Sequence, residues 1–287
     1  MANKSLIIGA FTNYNYNQLK PWVESIDTCG FTGDKVMIVG NASQETIDEL
    51  TKRNFKLVKM DPNAGKQVPI HVERFVYIWT YLKDYWDEYE YVVTTDVKDV
   101  IFQTNPIEWL EKNLGDKKIV AGSESIQYKN EPWGDENLMQ TFGPFFYEEF
   151  KDCEIYNVGT LGGKSEYIKD LILNLFLDAI GKPIRIVDQS VYNVMIQTQP
   201  FKDITYFAQQ KDGWACQAGT TADPSKIEQF RPHLLEAEPS FKNGVFLTST
   251  GEPFVIVHQY DRVPEWKKFV MEKYNQEDPN SFFTYRT

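Results

Sequence analysis

The chain has 287 residues, with 30 Lys and Arg against 41 Asp and Glu, and a net charge of −11; this acidic balance repels phosphate backbones and disfavours nucleic acid as a main partner. Apolar residues at 42% and charged residues at 25% are ordinary for a packed chain and argue against long disorder. Cys29, Cys153 and Cys216 stand far apart with no CxxC spacing, which excludes a disulfide framework and a zinc knuckle.

The first hundred residues alternate short apolar runs with amphipathic stretches. Residues 6–11 read as a buried strand, and 18–28 as a helix with Gly30 just past its end. Residues 36–39 are a second strand, closed by Gly40 and Asn41, after which Ser43 caps a helix over 45–53. A third strand over 55–60 runs into a Pro-Asn-Ala-Gly loop at 62–65. Apolar residues at 72, 75, 76, 79, 82 and 86 predict a helix with one buried face. Residues 91–95 are a fourth apolar strand that ends at Asp96. This order implies a parallel sheet covered by helices, in which ligands bind at the carboxyl ends of the strands. Asp96 stands at such an end.

The second half is less regular. A short helix is expected over 106–113 and a strand over 119–122. Residues 127–152, aromatic, acidic and broken by Gly and Pro, read as a long excursion or lid. A strand over 155–161 ends in Gly162 and Gly163, and Ser165 caps a helix reaching about residue 180. Further elements are a helix over 188–197, a late strand over 254–257 ending at His258, and a helix over 264–274. No linker divides the chain, so one domain is expected over 1–287. No apolar run approaches the ~20 residues that span a bilayer, and the apolar part of the N-terminus is too short for a signal peptide, so a cytoplasmic protein is expected.

Several motifs are missing. No GxGxxG follows the first strand, and there is neither a GxSxG elbow nor an HExxH. Gly163-Lys164-Ser165 looks like the end of a P-loop, but the first glycine that loop requires falls at Val158.

Four segments could carry chemistry. In Thr94-Thr95-Asp96-Val97-Lys98-Asp99, two carboxylates three apart follow a buried strand; they suit a hard divalent cation, or merely cap a solvated turn. His258, ending the late strand in Val257-His258-Gln259-Tyr260-Asp261-Arg262, could complete a metal site, and mixed carboxylate and imidazole ligands favour Mn²⁺ over Ca²⁺; otherwise it is a structural histidine. Asn157-Val158-Gly159-Thr160-Leu161-Gly162-Gly163 offers a backbone that a ligand can approach, or a simple strand-to-helix turn. Asp188-Gln189 opens a helix, where the Asp either caps it or faces a cleft. Aromatics at 15% suit either a stacking cleft or a large aromatic core.

In this order, the four segments resemble the GT-A family of nucleotide-sugar glycosyltransferases: a carboxylate metal motif after a parallel strand, an Asn-x-Gly-x-x-Gly-Gly segment, Asp-Gln, and a late His. Similar sequences are glycosyltransferases of plants, algae and chloroviruses, and TDVKDVIFQ with VHQYDR is closest to chlorovirus enzymes of capsid-glycan synthesis. The resemblance covers roughly residues 6–266. The family's usual Asp-x-Asp is altered, because Lys98 takes the third position and Asp99 is the second carboxylate.

The resemblance implies an α/β GT-A fold, with a Rossmann-like, mainly parallel sheet flanked by helices. Residues 1–105 would form the nucleotide-sugar half, 106–270 a less regular acceptor half and 271–287 a C-terminal tail. It also implies transfer of a sugar, such as xylose or rhamnose, from a UDP-sugar to a hydroxyl of an oligosaccharide or glycoprotein glycan, with Mn²⁺ or Mg²⁺ as cofactor. A viral enzyme of this kind would work in the host cytoplasm. Asp96, Asp99 and His258 would hold the metal. Ala10, Phe11 and Thr12 would hold the uridine, with Tyr14 or Tyr16 stacked on its base. Arg74, with His71 one turn before it, would reach the diphosphate, and Thr95, Asp96, Lys98, Asn157 and Gly159 would complete the donor site. An inverting enzyme would take its base from Asp188, Glu124, Asp152 or Glu154; in a retaining one Asp188 would position the donor sugar. Trp133 and Trp214 would form the acceptor platform. A sugar-nucleotide nucleotidyltransferase is the alternative enzyme, although its Gly-rich, Arg-containing loop is absent from residues 12–17. A non-catalytic glycan-binding module would explain the aromatics but not Asp96, Asp99 and His258.

Overall fold

Strands apolar on both faces need helices on both sides, and the computed structural model, which describes residues 4–274, has that layering. Strands β1 (Lys4–Phe11), β2 (Asp34–Val39), β3 (Phe55–Lys59) and β4 (Tyr89–Thr95) alternate with helices α1 (Tyr16–Thr28), α2 (Gln44–Lys52) and α3 (Ile70–Tyr85). Next come β5 (Val100–Phe102), α4 (Pro106–Asn113), β6 (Ile119–Gln127), α5 (Pro132–Phe150), β7 (Glu154–Lys164), α6 (Ser165–Ala179) and α7 (Asp188–Ile196). Strands β8 (Thr205–Ala208), β9 (Ala215–Gln217), β10 (Ser240–Lys242), β11 (Val245–Leu247) and β12 (Ile256–His258) precede a helix over Pro264–Tyr274.

The main sheet has seven strands in the order β3-β2-β1-β4-β7-β6-β8. Only β7 runs against its neighbours, β4 and β6; the other pairings are parallel. Side chains alternate between two cores, as strand geometry requires. Leu6, Ile8, Val36 and Val92 pack beneath α3, α6 and α7, whereas Ile7, Met37 and Val93 pack against α1, α2 and α4. A three-stranded sheet, β5-β12-β9, packs with the Pro264–Tyr274 helix in a smaller core around Phe246 and Trp266.

Four expectations are corrected. Residues 127–152 are not an irregular excursion: they hold α5, which bends at Gly143 (φ 76°). Pro132 does not break it, because at the first helical position the missing N–H costs nothing, and Glu131 accepts a hydrogen bond from the Gly134 N–H at 2.5 Å. Strand β7 runs through Gly162 and Gly163 instead of ending there; these glycines make room for the Trp214 ring and the Lys118 carbonyl. Ser165 does not cap α6 but is its first residue, and its hydroxyl donates to the Trp86 carbonyl at 2.7 Å. The last strand ends at His258 as expected but begins at Ile256 rather than at residue 254. Of the expected tail, residues 271–274 belong to the last helix, and 275–287 lie outside the described residues.

Candidate active site

Where β4 ends, the chain bends through residues 96–99 into β5. Two contacts fix the bend. The Thr95 hydroxyl accepts from Trp22 Nε1 at 2.8 Å and donates to the Asp96 carbonyl at 2.7 Å. The Asp96 N–H donates to the Gly159 carbonyl at 3.0 Å, which extends the β4–β7 pairing by one residue. Gly159 allows this approach, because a methyl group there would stand 2.8 Å from Asp96 Oδ2. The small sheet supplies the other side: β12 sets His258 opposite Val100 of β5 and Gln217 of β9, and the Gln259 N–H holds the Asp99 carbonyl at 2.7 Å.

Asp96, Asp99 and His258 thereby present ligand atoms that all lie within 4.8 Å of one another. His258 Nε2 is 3.6 Å from Asp96 Oδ2 and 3.8 Å from Asp99 Oδ1. Two ligands at ~2.2 Å from one ion are at most about 4.4 Å apart, so the two histidine–carboxylate spacings suit a single divalent cation. His258 Nδ1 faces Gln217 Oε1 at 2.8 Å; with the amide in this orientation Nδ1 donates to it, and Nε2 is the ring nitrogen turned to the two carboxylates.

The electrostatics fit charged ligands in a confined space. Burial would raise the Asp96 carboxyl, but Arg74 and His258 outweigh it and hold this group well below the usual carboxylate range. Asp99 is raised by burial, with Asp96 adding to the effect. Burial would lower His258, but Asp99 and Asp96 keep it above its ordinary value. Arg74, on α3, bridges Asp96 Oδ1 and Asp188 Oδ2, the latter at 3.3 Å, while its buried Nε has no hydrogen-bond partner among the described residues. Asp188 is raised by burial, with Arg74 opposing.

These groups line a cavity of about 410 Å³. Its floor is a hydrogen-bonded network around the buried Glu124. Oε1 accepts from Asn157 Nδ2 at 2.8 Å and Gln189 Nε2 at 3.0 Å, and Oε2 accepts from the Thr220 hydroxyl at 2.7 Å. Trp133, 47% exposed, lines the cavity with Glu131, Asp223 and Lys226.

The expected site residues divide in three. Arg74, Asp96, Asp99, Asn157, Gly159, Asp188 and His258 are brought together around the cavity, with Glu124 and His71. A second set lies nearby without lining it. Phe11 is buried and its ring stacks on Tyr14 at 6.4 Å, Ala10 is half-buried, and the Thr12 hydroxyl accepts from the Asn41 N–H at 3.1 Å. Lys98 Nζ lies 5.8 Å from the Tyr14 ring, and burial followed by Asp99 and Asp96 raises the Tyr14 hydroxyl. Thr95 faces Trp22 and fixes the backbone. The third set lies elsewhere. Asp152 is exposed and paired with Lys129 at 2.5 Å; Glu154 is taken up by Ser123, Tyr156 and Gln209; Trp214 is fully buried and donates to the Thr160 carbonyl at 3.0 Å. Gln217, Thr220, Asp223 and Lys226 were not read from the sequence, which has no periodicity or spacing around them to signal a site.

No protein-family model matches the chain, and no curated protein matches its sequence. Among solved structures it is similar to the WbbM bifunctional glycosyltransferase, in its apo form, with a TM-score of 0.61 and 14% identity over 96% of this chain. The chain spans only 50% of that protein's length. It is also similar to the galactosyltransferase LgtC, solved with donor and acceptor sugar analogues, with a TM-score of 0.52, 12% identity, and coverage of 96% of this chain and 98% of that one. Identities this low speak for fold alone, and the fold is GT-A. Among the described residues, no helix is long and apolar enough to cross a membrane.

Proposed function

We propose that the chain is a metal-dependent glycosyltransferase that moves a sugar from a nucleotide-sugar, a UDP-sugar in this reading, to a hydroxyl of a glycan acceptor. One observation carries the proposal: Asp96, Asp99 and His258 Nε2 converge at the carboxyl edge of a GT-A sheet, on a cavity wide enough for a sugar. Two oxygens and an imidazole suit Mn²⁺, with Mg²⁺ second. When bound, the cation would neutralise charge on the diphosphate leaving group. The protein's own groups then have distinct tasks. Arg74, with its unpartnered Nε, binds and orients the donor between Asp96 and Asp188. Asn157, Gln189 and Glu124 form a rigid polar floor that orients sugar hydroxyls. Asp188 and Glu124 are the base candidates that line the cavity; Asp152 and Glu154 do not. Tyr14 and Lys98, with Ala10, Phe11 and Thr12 behind them, stand on the nucleoside side.

The two similar structures support sugar transfer, since their names describe glycosyl- and galactosyl-transfer. The choice of xylose or rhamnose, and a place in viral glycan synthesis, rest on the sequence resemblance. The test pairs thermal shifts by UDP, GDP and TDP, each with Mn²⁺, Mg²⁺ or chelator, with UDP release from a donor panel. A shift of several degrees with UDP and Mn²⁺, lost with chelator, is expected. No shift with any nucleotide and no UDP release would leave only a glycan-binding role, and pyrophosphate production would identify a nucleotidyltransferase.

A further inference from the structure

The chain carries Gln217 in a segment, Ala-Cys-Gln-Ala, that has no motif, yet buries it completely against His258. The two residues are register partners in the parallel β9–β12 pair, so their side chains leave the small sheet side by side. Gln217 Oε1 lies 2.8 Å from His258 Nδ1, and Gln217 Nε2 donates to the Thr160 hydroxyl at 3.0 Å. Thr160 is itself fully buried and pairs in register with Thr95, the residue before Asp96. A single buried line therefore runs from the strand that presents Asp96, through Thr160 and Gln217, to the imidazole facing Asp96.

We infer that Gln217 is a positioning residue: its buried amide, hydrogen-bonded to Nδ1 and braced by Thr160, fixes the His258 ring and so aims Nε2 at Asp96 and Asp99. This inference rests on the metal site proposed above. The reverse amide orientation would set the Gln217 NH₂ against Nδ1 and move the ring proton to Nε2, between the carboxylates and in the way of a cation. Partners of this kind on the far nitrogen of a ligating histidine fix its tautomer, and losing them typically costs about 10–100-fold in metal affinity.

Two measurements on the whole chain test it. The first is ¹⁵N NMR of the metal-free protein. There are three histidines, so a His258→Asn spectrum assigns the signal. A protonated, hydrogen-bonded Nδ1 in the wild type is expected; an unprotonated Nδ1 would overturn the inference, whether or not a metal binds. The second is Mn²⁺ titration by EPR. Gln217→Leu keeps the side-chain volume but removes the acceptor, and should weaken Mn²⁺ binding about 10–100-fold. Gln217→Glu restores an acceptor and should bind close to wild type, which separates this role from mere packing. Wild-type affinity in Gln217→Leu would sink this inference alone. Absence of Mn²⁺ binding by the wild-type chain would sink the proposed function instead.

Discussion

Gly159→Ala tests the geometry of the site most directly, because the perturbation is one methyl group. The glycine's φ is not among the positive ones, so alanine meets no backbone strain. It meets atoms instead: 2.8 Å to Asp96 Oδ2 and 2.9 Å to Asn157 Oδ1, where ordinary contact begins at 3.4 Å. The carboxylate must retreat by roughly half an ångström, about the tolerance within which a working site has to be held. Misplacement by 1 Å costs ~100-fold in rate, so transfer should fall about tenfold, with weaker Mn²⁺ binding measured by EPR. Gly162→Ala is the control. Its methyl would stand 2.8 Å from the buried Trp214 ring, away from the cavity. That overpacking should cost about 1–3 kcal/mol, lower Tm by several degrees and leave turnover and Mn²⁺ affinity unchanged. Wild-type affinity and rate in Gly159→Ala, or a loss in Gly162→Ala as large as in Gly159→Ala, would refute the claim that Gly159 exists to admit Asp96.

Asp96→Asn should abolish sugar transfer and Mn²⁺ binding while circular dichroism stays native; retained transfer would remove Asp96 from the mechanism. Arg74→Ala leaves Asp188 and Asp96 facing each other without their cation and should destabilise the metal-free chain by about 3 kcal/mol, read by urea titration. Added Mn²⁺ should recover more stability in that variant than in wild type, and an equal gain would argue against charge repulsion as the cause. Glu124→Gln sets an NH₂ group among donors and should depress transfer sharply, whereas Asp152→Asn, at an exposed ion pair, should leave kcat and KM within about twofold.

The first half of the fold was legible because its signals are local. Each apolar run up to Asp96 lies on an observed strand, the Ser43 cap accepts from the Thr46 N–H, and the expected helix over 106–113 has those bounds. Of the small sheet only β12 was legible, as the late apolar run ending at His258; β5 and β9 were not, because three-residue strands are too short for periodicity and their partners are distant in sequence. Helix α5 was hidden by Gly143 and Pro144, which read as breakers but sit at its bend. At the site, residues with a spacing pattern were found. Gln217 and Thr220 were not, since their roles exist only once β9 lies beside β12. Asp152 and Glu154 read like Glu124 in a charged stretch; only the fold decides which carboxylate turns inward.

The bend at residues 96–99 explains how Lys98 can occupy the place where an Asp-x-Asp motif has a carboxylate. In an extended strand Asp96 and Lys98 would share a face and Asp99 would point away. Here β4 stops at Thr95, and the next strand begins at Val100. Between them, the Gln259 N–H pins the Asp99 carbonyl, bringing Asp99 Oδ1 to 3.8 Å from His258 Nε2, while Lys98 Nζ lies 5.8 Å from the Tyr14 ring. The turn thus does for an Asp-x-x-Asp what a strand does for an Asp-x-Asp. It follows that Asp99→Ala should lose Mn²⁺ affinity and that adding Lys98→Asp should not restore it, because the new carboxylate would stand by Tyr14. Recovery of wild-type affinity in the double variant, measured by EPR, would mean that the segment binds as an extended motif and that the bend is incidental.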